Sequence, residues 1–333
     1  MKLVTHLFNA QEELAILHQD ALYNISALDN SLPQTMKGLL SSWDTHIDAL
    51  KKYDEDIKAG KYKANATYAD ASILAPVPYP SSCRDGYAFR QHVAAARRNR
   101  KVDMIAEFDQ YPIFYFTNHN AIQGPGDIVC MPDHFQKLDF ELEVAIVVSK
   151  KGRNIKAADA DEYIGGYMIM NDMSARTLQM EEMLLNLGPA KGKDFSTVIG
   201  PMLVTPDELA SYKVNAKDNH IGNSYNLTMK CWVNGKQVSE GNMGDMDWTF
   251  AEILERCAYG VDILPGDVIG SGTVGTGCFL ELNGTGLLHD ANYPVQWLQD
   301  GDIVEMEIEG LGRLKNTIRK ADTDFSILAL KKK

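Results

Sequence analysis

From residue 82 onward this chain is written as short apolar segments of period two, parted by Gly and Pro turns. The segments are YPIFYFT, FELEVAIVV, YIGGYMIMN, VIGPMLVT, YNLTMKCWVNG, DVIGSGT, CFLELNG and IVEMEIEG. Such alternation sends successive side chains to opposite faces and marks strands. GPGD at 124–127, LPGD at 264–267 and QDGD at 299–302 are turn-like openings to the strand that follows. Helical spacing in this part is confined to SARTLQMEEMLL (174–185) and TFAEILERCAY (249–259). Strands do not alternate with helices in a βαβ order, so a doubly wound parallel sheet is disfavoured and a β-dominated α+β fold is expected.

The first part of the chain has a different texture. Residues 2–8 and roughly 12–28 alternate like short strands, and residues 31–60 have apolar residues at helical spacing between Pro33 and Gly60. KYKANATYAD reads as a connector, and the Pro-rich APVPYPSS (75–82) as an extended boundary. The expectation is a small N-terminal domain, residues 1–75, followed by a larger domain, residues 76–333. With 333 residues, 45% of them hydrophobic, the chain has the apolar material for a sizeable core.

A net charge of −12 disfavours phosphate backbones and anionic membranes as partners and favours divalent cations. The five cysteines form no CxxC and are odd in number, which fits a reduced cytoplasmic protein rather than a disulfide scaffold. MKLVTHLFNAQEEL lacks the apolar core of a signal peptide, and no apolar run reaches transmembrane length.

KLDFELEVAIVVSKKG (137–152) is the most informative segment. Phe140, Leu142, Val144, Ile146 and Val148 form one face of the expected strand; Asp139, Glu141, Glu143, Ala145 and Val147 form the other. A half-solvated strand is one reading of the carboxylates. However, a solvated face should stay polar, and this one turns apolar halfway. The other reading puts the carboxylates at the mouth of a covered face, where repulsion and desolvation would be relieved by a hard cation with oxygen ligands. The strand alone leaves both open.

Four more segments carry candidates, each with an ordinary alternative. In YMIMNDMSARTLQ, Asp172 ends an apolar strand and is either a helix cap or a further carboxylate ligand. In SSCRDGYAFRQHVAAARRNR, Asp85, Tyr87, Arg90 and His92 fall within eight positions, so His92 is either a structural histidine or a base beside a ligand. Lys193 lies in a Gly- and Asp-rich loop, as a solvated side chain or an oxyanion partner. In VIGSGTVGTGCFLELNG, Gly270, Gly272 and Gly275 spell GxGxxG. A dinucleotide fingerprint must open a helix within a βαβ unit, whereas CFLEL alternates like another strand, so that reading is rejected. A glycine loop between strands, containing Thr273, still permits close approach of a ligand. Glu281 in that expected strand is a solvated glutamate or part of a site.

In this order, RDGYAFRQH, DFELEVAIVV, MNDMSARTLQ, GKDF, GDVIGSGT, FLEL and GDIVEMEIEGLGRLKN resemble segments of the fumarylacetoacetate hydrolase family, over roughly residues 80–318. The resemblance implies a mixed β-sandwich roll, usually in a homodimer. It implies one Mg2+ or Ca2+ per subunit, held by Asp85, Glu141, Glu143 and Asp172. His92 corresponds to the general base of the fumarylacetoacetase branch, and Glu281 to the carboxylate that orients it. Arg176, Gln179 and Lys193 correspond to positions near the developing oxyanion; Tyr87, Thr273 and Arg100 correspond to substrate contacts. No ligand role is assigned to Asp139. That branch carries a tyrosine between Gln179 and Lys193, near the position held here by Met183.

The implied activity is hydrolysis of a carbon–carbon bond in a β-diketone or acylpyruvate such as fumarylacetoacetate. It uses a His-activated water and a metal-stabilised enolate. Two alternatives remain open: an isomerase, hydratase or decarboxylase of 2-oxo acids on the same fold, and a non-catalytic metal-binding protein.

Overall fold

Two β-sheets packed against each other organise the computed structural model, which describes residues 1–332. The larger sheet has twelve strands. Its main path runs Ala66–Thr67, Ala21–Asn24, Gln11–His18, Lys2–Phe8, Thr197–Val204, Ile164–Asp172, Leu142–Val148, Asp267–Gly270, Ser82–Gly86 and Phe114–Thr117. The smaller, five-stranded sheet runs Lys236–Asn242, Thr228–Val233, Ile303–Ile308, Gly312–Lys320 and Gly126–Cys130. Asp267–Gly270 pairs in parallel with Ser82–Gly86, and Gly312–Lys320 in parallel with Gly126–Cys130, whereas most other neighbours are antiparallel. This is the strand-rich, mixed-sheet α+β architecture expected.

Strand Leu142–Val148 is buried along its whole length and shows how the faces are used. Leu142, Val144, Ile146 and Val148 pack toward the smaller sheet, in one core with Ile128, Met229, Met306, Leu314 and Ile318. Ala145 and Val147 belong to a second core, with Leu39, Leu40, Trp43 and Leu50. Those four residues come from helices Met36–Ser41 and Trp43–Lys58. The N-terminal helices therefore cover the apolar half of the face on which Glu143 stands. The expected helix over 31–60 is present but interrupted at Ser42, whose Oγ bonds back to the carbonyl of Gly38 at 3.0 Å. It ends beside Gly60, whose φ of 74° suits a glycine. Strand Lys2–Phe8 pairs with Gln11–His18 on one side and with Thr197–Val204 on the other, so the first residues extend the central sheet.

Two local expectations are corrected. CFLEL is not a strand: Phe279–His289 is a helix. The alternation of so short a segment fits either element, and the choice is made by a distant residue. Asp139 accepts from the amides of Phe279 at 2.8 Å and Leu280 at 2.9 Å, capping the helix from outside its own sequence. The segment 137–152 is likewise not one continuous strand. Leu138–Asp139 pairs with Ser174–Ala175, and the main-sheet strand begins only at Leu142. Between them, the amide of Phe140 goes to Asp139 Oδ1 and that of Glu141 to Asn171 Oδ1, both at 3.0 Å. Side chains thus take the donors that a ladder would have used, and the chain bends there. The rejection of the dinucleotide fingerprint stands on topology instead: the helix after the glycine loop leads to the smaller sheet, not to a parallel neighbour of Asp267–Gly270.

Candidate active site

Three strands of the larger sheet end at one place. Asp85 lies in Ser82–Gly86, Glu143 in Leu142–Val148 with Glu141 just before it, and Asp172 closes Ile164–Asp172. All four are buried, and one carboxylate oxygen of each lies within 4.8 Å of the others. The glycine loop makes this possible. A Cβ on Gly270 would collide with Asp85 Oδ1 and lie 3.0 Å from Glu143 Oε2. Gly272 holds a φ of +80°, which directs its amide to Asp85 Oδ1 at 3.0 Å and Glu143 Oε2 at 3.2 Å. Thr273 Oγ1 donates to Glu143 Oε1 at 3.4 Å.

The electrostatics of the cluster are uneven. Burial and the neighbouring Asp172 charge push the Asp85 carboxyl up to about 7. Burial together with Asp85 pushes Glu143 well above the carboxylate range. Burial also raises Asp172. Burial acts against Glu141 too, but Lys193 and Arg176 overcome it and hold Glu141 down at about 2. Lys193 Nζ donates to Glu141 Oε2, and to Asp172 Oδ2 at 2.7 Å; Arg176 Nη2 donates to Glu141 Oε1 at 2.7 Å. One oxygen, Asp172 Oδ1, is buried with no hydrogen-bond partner among the described residues. Four converging buried carboxyl groups, three of them pushed toward protonation and one oxygen orphaned, fit a hard divalent cation with oxygen ligands.

His92 stands beside this cluster. A ring nitrogen of His92, an oxygen of Glu141 and Sγ of Cys278 lie within 4.8 Å of one another. His92 comes from helix Arg90–Asn99, and Glu281 from helix Phe279–His289. The two meet in a buried pair, His92 Nδ1 donating to Glu281 Oε2 at 2.6 Å. Glu281 Oε1 accepts in addition from the amide of Thr276 at 3.0 Å. A ring nitrogen held this way fixes the tautomer and leaves Nε2 as the free atom. Arg176 Nη1 donates to Gln179 Oε1 at 2.9 Å, which leaves the Gln179 NH2 as a donor. The Tyr87 ring meets His92 edge-on, with centroids 6.0 Å apart. Arg100 lies further out: it is exposed at the end of helix Arg90–Asn99, its Nε donating to the Ala96 carbonyl at 3.2 Å.

Three neighbours of the cluster are not candidates on sequence grounds. Tyr115 donates its hydroxyl to Asp172 Oδ2. Its segment reads only as an apolar strand, and its relevance appears from the register that sets it opposite Asp85. Asn171 fixes the bend before Glu141 through the amide it accepts. Cys278 precedes the helix that the alternation hid.

The geometry agrees with similarities to known proteins. The family model described as fumarylacetoacetate (FAA) hydrolase C-terminal matches residues 82–319. The mitochondrial oxaloacetate tautomerase FAHD2A of Homo sapiens is 30% identical over 322 residues, covering 94% of this chain and 88% of that protein. A fumarylacetoacetate hydrolase domain-containing protein 2 homolog of Dictyostelium discoideum is 26% identical, covering 96% and 97%. In fold, the maleylpyruvate hydrolase structure from Sphingobium sp. SYK-6 superposes with a TM-score of 0.67 at 20% identity, covering 96% of this chain and 100% of that one. Given the family match over the larger part of the chain and the human relative along nearly all of it, this chain belongs to the fumarylacetoacetate hydrolase family.

Proposed function

We propose that this chain is a metal-dependent hydrolase that cleaves a carbon–carbon bond of a β-diketone or acylpyruvate such as fumarylacetoacetate. The observation that carries the reading is the buried His92–Glu281 pair at 2.6 Å beside the carboxylate cluster. Only hydrolysis, among the reactions considered, needs a base to activate water at a carbonyl.

Asp85, Glu141, Glu143 and Asp172 would hold one divalent cation, Mg2+ or Ca2+. Once bound, it would polarise the paired oxygens of a 1,3-dicarbonyl. His92 Nε2 takes a proton from water, and Glu281 stabilises the imidazolium that results. The hydroxide attacks the distal carbonyl carbon. Lys193 spends two of its three N–H donors on Glu141 and Asp172, so a third remains for the developing oxyanion, together with Arg176 and the Gln179 amide. His92 then returns the proton to the carbon that leaves. Tyr87, Thr273 and Arg100 would contact the substrate, Arg100, exposed at the end of its helix, taking a terminal carboxylate. In this reading residues 76–333 form the catalytic unit, residues 1–75 cover the back of its sheet, and the enzyme works as a cytoplasmic homodimer.

A second reading keeps the fold and the cation but changes the reaction to keto–enol interconversion of a 2-oxo acid. The relatives named oxaloacetate tautomerase favour it. One experiment separates the two: incubation with fumarylacetoacetate, short acylpyruvates and oxaloacetate, with Mg2+, Ca2+ or EDTA, followed by diketone absorbance and product identification. The hydrolase reading expects two acids from an acylpyruvate and no turnover in EDTA. Interconversion of oxaloacetate without cleavage of any diketone would overturn it.

A further inference from the structure

Cys278 is a buried thiol for which the proposed hydrolysis has no use. Its Sγ lies within 4.8 Å of a ring nitrogen of His92 and an oxygen of Glu141, and all three residues are buried. We propose that these three side chains form a second cation site, sharing Glu141 with the carboxylate cluster. It would take a borderline-soft divalent ion such as Zn2+, and filling it would inhibit the enzyme.

The donors carry the argument. A thiolate, an imidazole and a carboxylate are the ligands that tetrahedral Zn2+ prefers, whereas the neighbouring all-oxygen cluster suits Mg2+ and Ca2+. A tetrahedral ion draws such donors to about 3.5 Å apart. Cys278 can close that gap by side-chain rotation, because its Sγ makes no cap bond to the helix it precedes, and Glu141 joins by exchanging one of its bonds, to Lys193 or to Arg176, for one to the ion. His92 is already arranged as a ligand. Its Nδ1 is held by Glu281, the carboxylate–histidine arrangement that orients metal-bound imidazoles, so Nε2 faces outward as the donor. The charge is permissive as well. Two cations, Arg176 and Lys193, lie near; Arg176 is also countered by Asp139 and Lys193 by Asp172, with Glu141 and Glu281 adjacent.

Binding breaks the Cys278 S–H bond and forms an S–Zn bond, with the proton leaving to solvent; no oxidant or reductant is needed. The same event takes Nε2 of His92 and one oxygen of Glu141. The inhibitory consequence therefore rests on the hydrolase reading, while the binding site rests on geometry alone.

The test separates these two parts. Wild-type protein saturated with Mg2+ is titrated with Co2+ as a spectroscopic stand-in for Zn2+. A near-ultraviolet thiolate-to-cobalt charge-transfer band should grow to one equivalent and be erased by Zn2+. Cys278→Ser, which leaves the Asp139 cap of the helix in place and puts a residue type favoured at helix starts there, should lose the band. No band in wild type, or a band that survives Cys278→Ser, overturns the site. X-ray absorption of Zn2+-loaded wild type needs no variant: one sulfur in the first shell supports the site, and a shell of oxygen and nitrogen alone overturns it. Turnover in Mg2+ should stop on adding Zn2+ in wild type and resist at least about tenfold more Zn2+ in Cys278→Ser. A cobalt band without loss of turnover leaves the site standing and overturns the inhibition, together with the role of His92 as base.

Discussion

Asp139 and Arg176 form a buried ion pair, Nε of Arg176 donating to Oδ2 of Asp139 at 2.9 Å, and the same carboxylate caps helix Phe279–His289. Asp139 is fully buried and Arg176 nearly so. One residue thus links the bend that supplies Glu141, the helix that supplies Glu281 and the guanidinium that holds Glu141. Removing its charge leaves Arg176 short of a partner in a dry interior, which typically costs about 3–5 kcal/mol. Asp139→Asn is therefore expected to unfold at markedly lower urea concentration than wild type, with an unchanged m value. An unaltered midpoint would show that Asp139 contributes nothing as a charge.

The His92–Glu281 pair gives a prediction about chemistry rather than stability. His92→Gln should lower kcat on a cleavable acylpyruvate by about 10²–10⁴-fold, the usual contribution of a positioned base. Glu281→Gln keeps a hydrogen bond but loses the charge that stabilises the imidazolium, so its loss should be smaller. In both variants the rise in Tm on adding Mg2+ should persist, because neither residue belongs to the four-carboxylate cluster. Unchanged kcat in His92→Gln would remove the base assignment.

Much of this site was legible in the sequence, and the reasons are physical. Glu143 sits on a strand whose other members alternate cleanly, and a face that begins in carboxylates and ends in Ala145 and Val147 raises the choice between a half-solvated strand and a covered face. That cover is the pair of helices carrying Leu39, Trp43 and Leu50. Asp139 lies on the same face by period but not in the cluster, because the chain bends at Phe140 and Glu141 through bonds to Asp139 and Asn171. The bend is a tertiary effect, and so is the helix written as CFLEL, whose cap lies 140 residues away. Tyr115 needed the pairing of two distant strands before it could be read at all.

The raised carboxyls predict how stability follows pH. Asp85 has an ordinary value of 3.8 and is raised to about 7 in the fold, first by burial and then by Asp172; Glu143 is also raised, first by burial and then by Asp85. A raised carboxyl binds its proton more tightly in the folded state. The stability it contributes is present below about pH 4 and is lost as pH rises through about 7. Glu141, lowered to about 2, acts in the opposite sense, but only below its ordinary 4.5. In EDTA, Tm should therefore fall as pH is raised from about 5 to 8. A divalent cation competes with those protons, so the Tm gained from Mg2+ should grow across the same range. A gain independent of pH would show that the cation binds elsewhere.

Gly270 tests whether the four carboxyls act as one assembly. Its φ lies outside the left-handed region, so the backbone tolerates alanine, and only the space is missing. A new Cβ would meet Asp85 Oδ1, Met170 Sδ at 2.8 Å and Glu143 Oε2 at 3.0 Å. Asp85 Oδ1 is the nearest of the three and the end of a side chain, so the Asp85 carboxylate is the group that must shift. Gly270→Ala should then weaken Mg2+ binding by about 10–100-fold, the range seen when groups that position metal ligands are altered. Calorimetric titration of the variant against wild type measures this. A double-mutant cycle isolates the cause: in an Asp85→Ala background, the further change at Gly270 should have little additional effect on cation affinity, because the carboxylate it displaces is gone. If the two effects simply add, Gly270 acts through packing against Met170 and not through Asp85.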